Sequence, residues 1–214
     1  MTLTAFNTPR PARWFAPLLL STAVLSSTLL SGCAGLLVGG AVMGGMMATD
    51  RRTSGAQIED QAIELKAINR VQGALGERGH VSVTSYNRTV LLTGEVPTET
   101  DRSAVEQAVA QIENVRAIVN ELAVTANSSI GSRSNDAVLT SKVKASFIDA
   151  RDLQSNAFKV VTERGQVYLM GRVTEREAKR AGDVARSIPG VVKVVRVFDV
   201  ISEAELAELQ PAKK

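Results

Sequence analysis

The sequence repeats itself, and this repeat limits the possible folds more than any other feature of the 214-residue chain. The stretch "VLLTGEV" at 90–96 matches "VYLMGRV" at 167–173, with Val, Leu, Gly and Val in the same positions. The two glycines, Gly94 and Gly171, are 77 residues apart. Self-similarity at a fixed offset indicates two copies of one folding unit.

The residues before each glycine predict a β-hairpin in both copies. Residues 80–89 and 157–166 alternate between apolar and polar side chains and then reach a turn. Asn87-Arg88 and Arg164-Gly165 occupy the two turns, and residue pairs of this kind between alternating segments are typical of hairpins.

Helical patterns surround each hairpin. After the hairpin, apolar residues recur at helical spacing, and in the second copy Thr174 and Glu177 form a capping box at the helix start. A further helix precedes each hairpin, at 58–75 and 136–150, and a valine-rich strand closes each copy. The sequence therefore predicts an α+β fold of two tandem αββαβ units, each a three-stranded sheet with helices packed on one face.

Gly94 and Gly171 are predicted to have a structural role. Glycine inside a strand usually marks a bulge or a close approach of another backbone. We expect the following helix or the neighbouring unit to pack over each glycine.

The only cysteine, Cys33, follows a segment typical of an exported protein. Two arginines precede a mainly apolar stretch, and no acidic residue occurs before Asp50. Residues 30–33, "LSGC", resemble the lipobox of bacterial lipoproteins. This resemblance implies cleavage before Cys33 and acylation of its thiol, and Ala34 in the next position implies delivery to the periplasmic leaflet of the outer membrane. An exported protein whose Cys33 is free or disulfide-paired is the alternative.

The chain divides into six predicted segments. The glycine content after Cys33 disfavours a stable helix and predicts a flexible tether, with a short membrane-embedded helix as the alternative. The segments are a signal peptide at 1–32, a lipidated tether at 33–55, the first unit at 56–126, a linker at 127–134, the second unit at 135–201 and a tail at 202–214.

The repeated unit, with its V-x-L-x-G-x-V strand and valine-rich closing strand, resembles the BON domain. Two such units behind a lipobox are similar to outer-membrane lipoproteins that carry two BON domains. The resemblance implies binding of phospholipid, with the second unit recognising anionic lipid.

The residue types argue against catalysis. His80 is the only histidine, and the one cysteine belongs to the lipobox, so a metal site of His and Cys ligands lacks its residues. The chain has neither a phosphate-binding loop nor a G-x-S-x-G motif. Carboxylate pairs at Glu59-Asp60 and at Glu99 with Asp101 fall at predicted solvated helix starts. We therefore expect a protein that is not an enzyme and needs no metal or cofactor.

The two units differ in charge. Residues 56–126 contain six basic and ten acidic residues, whereas residues 135–201 contain twelve basic and eight acidic residues. This asymmetry predicts different partners for the two units, or contact between them. Loss of the two signal-peptide arginines lowers the formal charge from +3 to +1, so the composition does not indicate a nucleic-acid partner. The basic unit suits an anionic membrane surface.

The helix predicted at 136–150 has two faces. One stripe is assigned to the core and comprises Leu139, Val143, Phe147 and Ala150. The other side carries the candidate phospholipid-binding residues, which are Val138, Ser141, Lys142, Lys144, Ala145, Ile148 and Arg151. A helix with a modest apolar face and lysines at its margins can lie in the headgroup layer. Packing of this face against the first unit, or simple exposure, is the alternative.

The corresponding helix of the first unit has an acidic flank and is expected to face away from anionic lipid. The sequence thus predicts a lipid-anchored protein that binds an anionic phospholipid membrane. The resemblance to lipoproteins with two BON domains implies that it supports envelope integrity, for instance at division sites. An adaptor for outer-membrane assembly or cell-wall remodelling proteins is the alternative, with the acidic unit and the free sheet edges as its contact surfaces.

Overall fold

The computed structural model describes residues 50–209, and this part of the chain confirms the α+β fold of two αββαβ repeats. The elements of the first repeat are α1 (Ser54–Leu75), β1 (His80–Tyr86), β2 (Thr89–Val96), α2 (Glu99–Ala110), β3 (Ala117–Asn120) and β4 (Ala123–Val124). Those of the second repeat are α3 (Ile130–Asp149), β5 (Phe158–Glu163), β6 (Gln166–Thr174), α4 (Glu175–Arg186) and β7 (Lys193–Ile201). A short helix, α5 (Glu203–Leu209), follows. The predicted signal peptide, Cys33 and most of the predicted tether lie outside the described residues.

The two sheets have the same strand order. In each, an antiparallel hairpin (β1–β2 or β5–β6) is extended by a strand that runs parallel to the second hairpin strand. The closing strand is continuous as β7, but in the first repeat it is divided into β3 and β4, which both pair with β2. The side-chain carbonyl of Asn120 accepts a hydrogen bond from the Leu122 amide at 3.2 Å. This local bond competes with the ladder and accounts for the interruption of the predicted single strand.

In each repeat, a buried aspartate accepts hydrogen bonds from the amides of the hairpin turn. Both central residues of each turn have positive φ, as the tightest hairpins require. The Asp60 carboxylate accepts hydrogen bonds from the Asn87 and Arg88 amides at 2.7 and 2.8 Å. Asp136 does the same for Arg164 and Gly165, at 2.8 Å each. The carboxylate thus satisfies two turn amides that no strand can pair.

The helices of each repeat cover one face of its own sheet. In the first core, Ile63 and Ala67 of α1 pack with Val105 of α2 on Val90 and Leu92. The second core has the same plan, with α3 and α4 on β5 and β6. Its main residues are Leu139, Val143, Phe147, Val160, Val167, Leu169, Ala181 and Ala185. Ala150, assigned to this stripe from the sequence, is only partly buried.

The opposite faces of the two sheets pack on each other. Side chains alternate along a strand, so Leu91 points away from the helices that cover Leu92. It joins Tyr86, Tyr168 and Met170 in a third buried cluster, to which Val119, Val161, Val195 and Val197 add their side chains. The described residues therefore form four layers, helices–sheet–sheet–helices, and the helices of the two repeats occupy opposite outer layers.

Ion pairs link the acidic repeat to the basic one around this contact. Lys159 lies 2.8 Å from Glu64, and Lys193 lies 3.8 Å from Glu121. The sequence left open whether the charge asymmetry reflects separate partners or contact between the units. These two pairs show that part of it serves the contact.

Each strand glycine lies close to the backbone at the start of the first strand of its hairpin. A Cβ at Gly94, whose φ is 111°, would stand 2.0 Å from the His80 carbonyl oxygen. A Cβ at Gly171 would stand 2.4 Å from the Ala157 carbonyl oxygen. The close approach comes from within the same hairpin.

Several element boundaries differ from the predicted ones. Helix α3 begins at Ile130 because Ser129 caps it, accepting a hydrogen bond from the Ser132 amide. Residues 130–134 of the predicted linker are therefore helical. Helix α1 begins at Ser54, inside the predicted tether, with Thr53 as its cap. The described part of the predicted tail forms α5, whose Leu206 is buried.

Candidate functional site

The outward side of α3 is a helix face of the second repeat that the other described residues leave exposed. Leu139, Val143 and Phe147 of the inward stripe are buried. Because the first repeat packs on the far side of the sheet, it does not cover the opposite side of α3. Val138 is 54% and Ile148 is 69% exposed, and Ser141 and Ala145 between them are exposed as well. Packing of this face against the first repeat, one of the alternatives for it, is therefore wrong.

Ile130 belongs to the same face but was not predicted. Its side chain is 83% exposed, and helical geometry places it on the same side as Ile148, since eighteen residues complete five turns. The sequence pattern assigned residue 130 to the linker and so missed it. The signal was available in the S-S-I-G-S sequence, because Ser129 is a favourable helix cap.

Basic side chains border this apolar strip. Lys142 and Lys144 are exposed on either side of it, and Arg151 is exposed just beyond the helix. Among the residues that the structure describes, neither lysine has a carboxylate within ion-pair distance. The exposed Asp149 lies near the end of the same face. Asp152 is engaged by Arg180 at 2.8 Å. The hydroxyl of Ser141 donates to the Ala137 carbonyl oxygen at 3.0 Å and is thus occupied within the helix.

Shallow clefts lie at both ends of the face. The cleft near the start has a volume of about 340 Å³ and includes Val138, Lys142 and Asn135 in its lining. The cleft near the end has a volume of about 360 Å³ and is lined by Asp50, Lys144, Ile148, Ser155, Asn156 and Phe158. Each cleft therefore combines a lysine with an exposed aliphatic side chain, as a phospholipid headgroup and its first methylenes would require.

The outward side of α1 differs from the prediction. Glu64 accepts a hydrogen bond from the Ser85 amide at 2.7 Å, and Asp60 is buried beneath the hairpin. Asp60 and Glu64 thus point towards the fold or its margin rather than outward. The exposed stripe consists of Ile58, Leu65 and Ile68, which are 66%, 64% and 52% exposed.

One member of each predicted carboxylate pair is buried in the fold. Asp60 is 2% and Asp101 is 6% exposed, so the expectation of solvated positions is wrong for both. Burial by itself raises the pKa of Asp60, but hydrogen bonds from Arg88, Ser85, Arg52 and Asn87 outweigh it and lower the pKa below its usual value. Such a carboxylate stays ionised and is fully occupied by donors. It has no free lone pair to take part in proton transfer.

The His80 side chain forms no hydrogen bond or ion pair with another residue in 50–209. Its pKa is lowered by burial and by the charge of Arg133, against the opposing effect of Glu95. Within residues 50–209, no cluster of three or more His, Cys, Asp or Glu side chains is arranged to hold a metal ion.

Two glutamates from different repeats, Glu95 of β2 and Glu163 of β5, lie near each other where the repeats meet. Glu95 is completely buried, and its Oε1 atom has no hydrogen-bond partner among the described residues. The pKa of Glu163 is raised to about 7 by burial and then by the charges of Glu95 and Asp136. Neither glutamate stood out in the sequence, because their proximity depends on the packing of the two repeats.

The BON domain family matches residues 60–126 and 135–202, which cover both repeats. The chain belongs to the BON-domain family. The outer membrane lipoprotein DolP of Haemophilus influenzae is 37% identical over 187 residues, covering 86% of this chain and 96% of that protein. The 21 kDa hemolysin of Actinobacillus pleuropneumoniae is 32% identical over 154 residues, covering 71% of this chain and 79% of that protein. Both similarities extend across more than one BON domain.

Similarity to solved structures is weak. CdsD, a structural protein of the type III secretion system of Chlamydia trachomatis, aligns with a TM-score of 0.28 and 10% identity over 69% of this chain and 98% of that chain. None of the helices in residues 50–209 combines the length and apolar character needed to cross a bilayer.

Proposed function

We propose that this protein is a non-enzymatic outer-membrane lipoprotein whose second BON domain binds anionic phospholipid. Cys33 carries the lipid anchor, and the outward face of α3 lies in the headgroup layer. Val138, Ala145 and Ile148 contact the upper acyl region, while Lys142, Lys144 and Arg151 attract the phosphates. By holding such lipid at the membrane surface, the protein supports envelope integrity, including at division sites.

The observation that carries this proposal is the uncovered face of α3. The two domains bury their sheets against each other, so the helices remain in the outer layers. The exposed aliphatic side chains and two unpaired lysines of α3, among the described residues, therefore face solvent together. Each Lys or Arg near an anionic surface adds about 1 kcal/mol of attraction. The similarity to an outer membrane lipoprotein over most of the chain supports the anchor at Cys33.

Reversing two charges on this face tests the site. For the soluble chain without the signal peptide and Cys33, we expect Lys142→Glu with Lys144→Glu to weaken binding to phosphatidylglycerol-containing vesicles by at least about 2 kcal/mol, or roughly 30-fold in Kd. The loss should shrink at high salt, because salt screens exposed charges. Vesicle co-sedimentation over a range of lipid concentrations measures the Kd.

A matched control lies on the opposite outer layer. Lys66→Glu with Arg70→Glu changes two exposed basic residues of α1 and alters the net charge by the same amount. We expect this variant to retain much tighter binding than the α3 variant. Equal weakening by both pairs would mean that total charge controls binding, which would contradict the assignment of the α3 face.

A protein-interaction adaptor is a second candidate because of the exposed stripe on α1. Ile58, Leu65 and Ile68 lie on the layer opposite α3, so a protein bound to the membrane through α3 presents them to the periplasm. Photo-crosslinking in intact cells from position 65 separates the two functions. A discrete protein band that persists in the α3 charge-reversal variant supports the adaptor, whereas its absence leaves lipid binding as the function.

A further inference from the structure

The segment just before α1 is attached to the second BON domain, although α1 itself belongs to the first. Arg51 is 7% exposed. Its guanidinium donates to both carboxylate oxygens of Glu177, at 2.7 and 2.8 Å. It also donates to the Arg172 carbonyl oxygen at 2.9 Å and to the Gln154 side-chain oxygen at 3.2 Å. All of these acceptors lie in the second domain, so Arg51 forms a clamp across the domain boundary.

The neighbouring residue fixes the same segment to the first domain. Arg52 lies 2.7 Å from Asp60 and places its guanidinium 4.2 Å from the centre of the Tyr86 ring. Its amide donates to the Asp50 carboxylate at 2.9 Å. Residues 50–52 therefore cross from one domain to the other in a defined conformation, with Asp50 on the side of the second domain.

This crossing brings the chain to the candidate lipid-binding face. Asp50 lines the cleft that also contains Lys144 and Ile148 of α3. Asp50 also pairs with the Arg52 guanidinium at 2.7 Å. Without the Arg51 clamp, the start of the described chain would therefore be fixed through Arg52 and the Thr53 cap of α1, in the first domain. The clamp thus places the start of the folded region, at Asp50, beside the end of the α3 face instead of beside the first domain.

We propose that Arg51 is a positioning residue for membrane attachment: its clamp on Glu177 makes the lipid-anchored segment leave the folded region beside the outward face of α3. This inference rests on the proposed function. The anchor and the α3 face then reach the same bilayer together, because linking two weak membrane contacts at a suitable spacing makes the second one intramolecular. The stripe on α1, in the opposite layer, is directed away from that bilayer.

Tryptophan reporters on the two outer layers test the orientation in the full lipidated protein. Trp14, the only tryptophan of the sequence, lies in the predicted signal peptide, so Ile148→Trp and Leu65→Trp each give the processed protein one reporter. The protein is reconstituted into phosphatidylglycerol-containing vesicles with a brominated phospholipid as quencher. We expect stronger quenching at position 148 than at position 65.

Adding Arg51→Ala to each reporter tests the clamp. We expect the ratio of quenching at position 148 to that at position 65 to fall towards one, because the anchor no longer favours the α3 side. Arg116→Ala is the matched control, since it removes another ion pair between the domains, the 3.4 Å contact with Asp199. This control should leave the ratio unchanged.

A merely structural role would lower thermal stability without changing the ratio, so thermal unfolding is measured in parallel. If Arg51→Ala does not fold, Arg51→Gln keeps a polar side chain at this position while removing the charge and the paired hydrogen bonds to Glu177. An unchanged ratio in the folded clamp variant would overturn the inference and leave the proposed function intact. Weak quenching at position 148 in the parent protein would overturn the proposed function itself and the inference with it.

Discussion

Alanine at position 94 should destabilise the protein strongly for a change of one methyl group, by about 3 to 5 kcal/mol. Gly94 has a φ of 111°, a conformation that residues with a Cβ rarely adopt. The added Cβ would also stand 2.0 Å from the His80 carbonyl oxygen, which is fixed in the β1–β2 ladder. Both effects have to be relieved by moving backbone. Chemical denaturation of Gly94→Ala against the parent measures the loss.

Two further glycines provide graded controls for this effect. Gly171→Ala meets the Ala157 carbonyl at 2.4 Å but has no positive φ to strain, so its loss should be smaller. Gly73→Ala, in the exposed part of α1, meets nothing within 4 Å. It should stabilise the protein by about 0.5 to 1 kcal/mol, because alanine favours a helix interior over glycine. Equal stability of Gly94→Ala and Gly73→Ala would contradict the close approach of Gly94 to the His80 carbonyl oxygen.

Replacing Glu163 by glutamine should make the protein more stable at pH 8 but not at pH 4. The pKa of this carboxyl is raised from 4.5 to about 7 by burial and by the charges of Glu95 and Asp136. Below pH 4.5 the group is protonated in both the folded and the unfolded chain. Between pH 4.5 and 7 the unfolded chain loses this proton first, so the free energy of unfolding falls. Above pH 7 the full penalty is present.

The size of the penalty follows from the shift. At 1.36 kcal/mol per pKa unit, the upper limit is about 3 kcal/mol, of which we expect Glu163→Gln to recover about 1 to 3 kcal/mol at pH 8. Urea unfolding at several pH values measures the difference. Glu113→Gln, the same change at an exposed position, should leave the pH dependence unaltered. If the stability of Glu163→Gln and of the parent changed with pH in parallel, the raised pKa of Glu163 would be contradicted.

The local patterns of the chain were sufficient to predict its secondary structure and repeat. Alternation followed by Asn87-Arg88 identified the first hairpin, and the spacing of Leu139, Val143 and Phe147 identified the core side of α3. These features depend on residues close in sequence, for which side-chain periodicity reports directly on burial. The helix starts at Ser54 and Ile130 were missed because serine and threonine caps are common in loops as well.

Features that depend on contact between the repeats could not be predicted. The roles of Arg51 and Glu163 arise only when residues more than a hundred positions apart, or in different repeats, come together. The sequence placed Arg51 in a tether and Glu163 at a strand end, where a charged residue is ordinary. For the α3 face, the pattern identified the residues but not their exposure. The exposure arises because the two repeats pack sheet on sheet, which leaves the helices in the outer layers.

The shared sheet contact also bears on how such a protein can evolve. After a gene duplication, two copies of a domain can usually diverge separately, because each keeps its own core. Here Tyr86 and Leu91 of one copy share a buried cluster with Tyr168 and Met170 of the other. A single copy on its own would expose an apolar sheet surface, which favours aggregation. We therefore expect the two copies to unfold as one cooperative body, and a substitution on one side of the contact to favour compensation on the other.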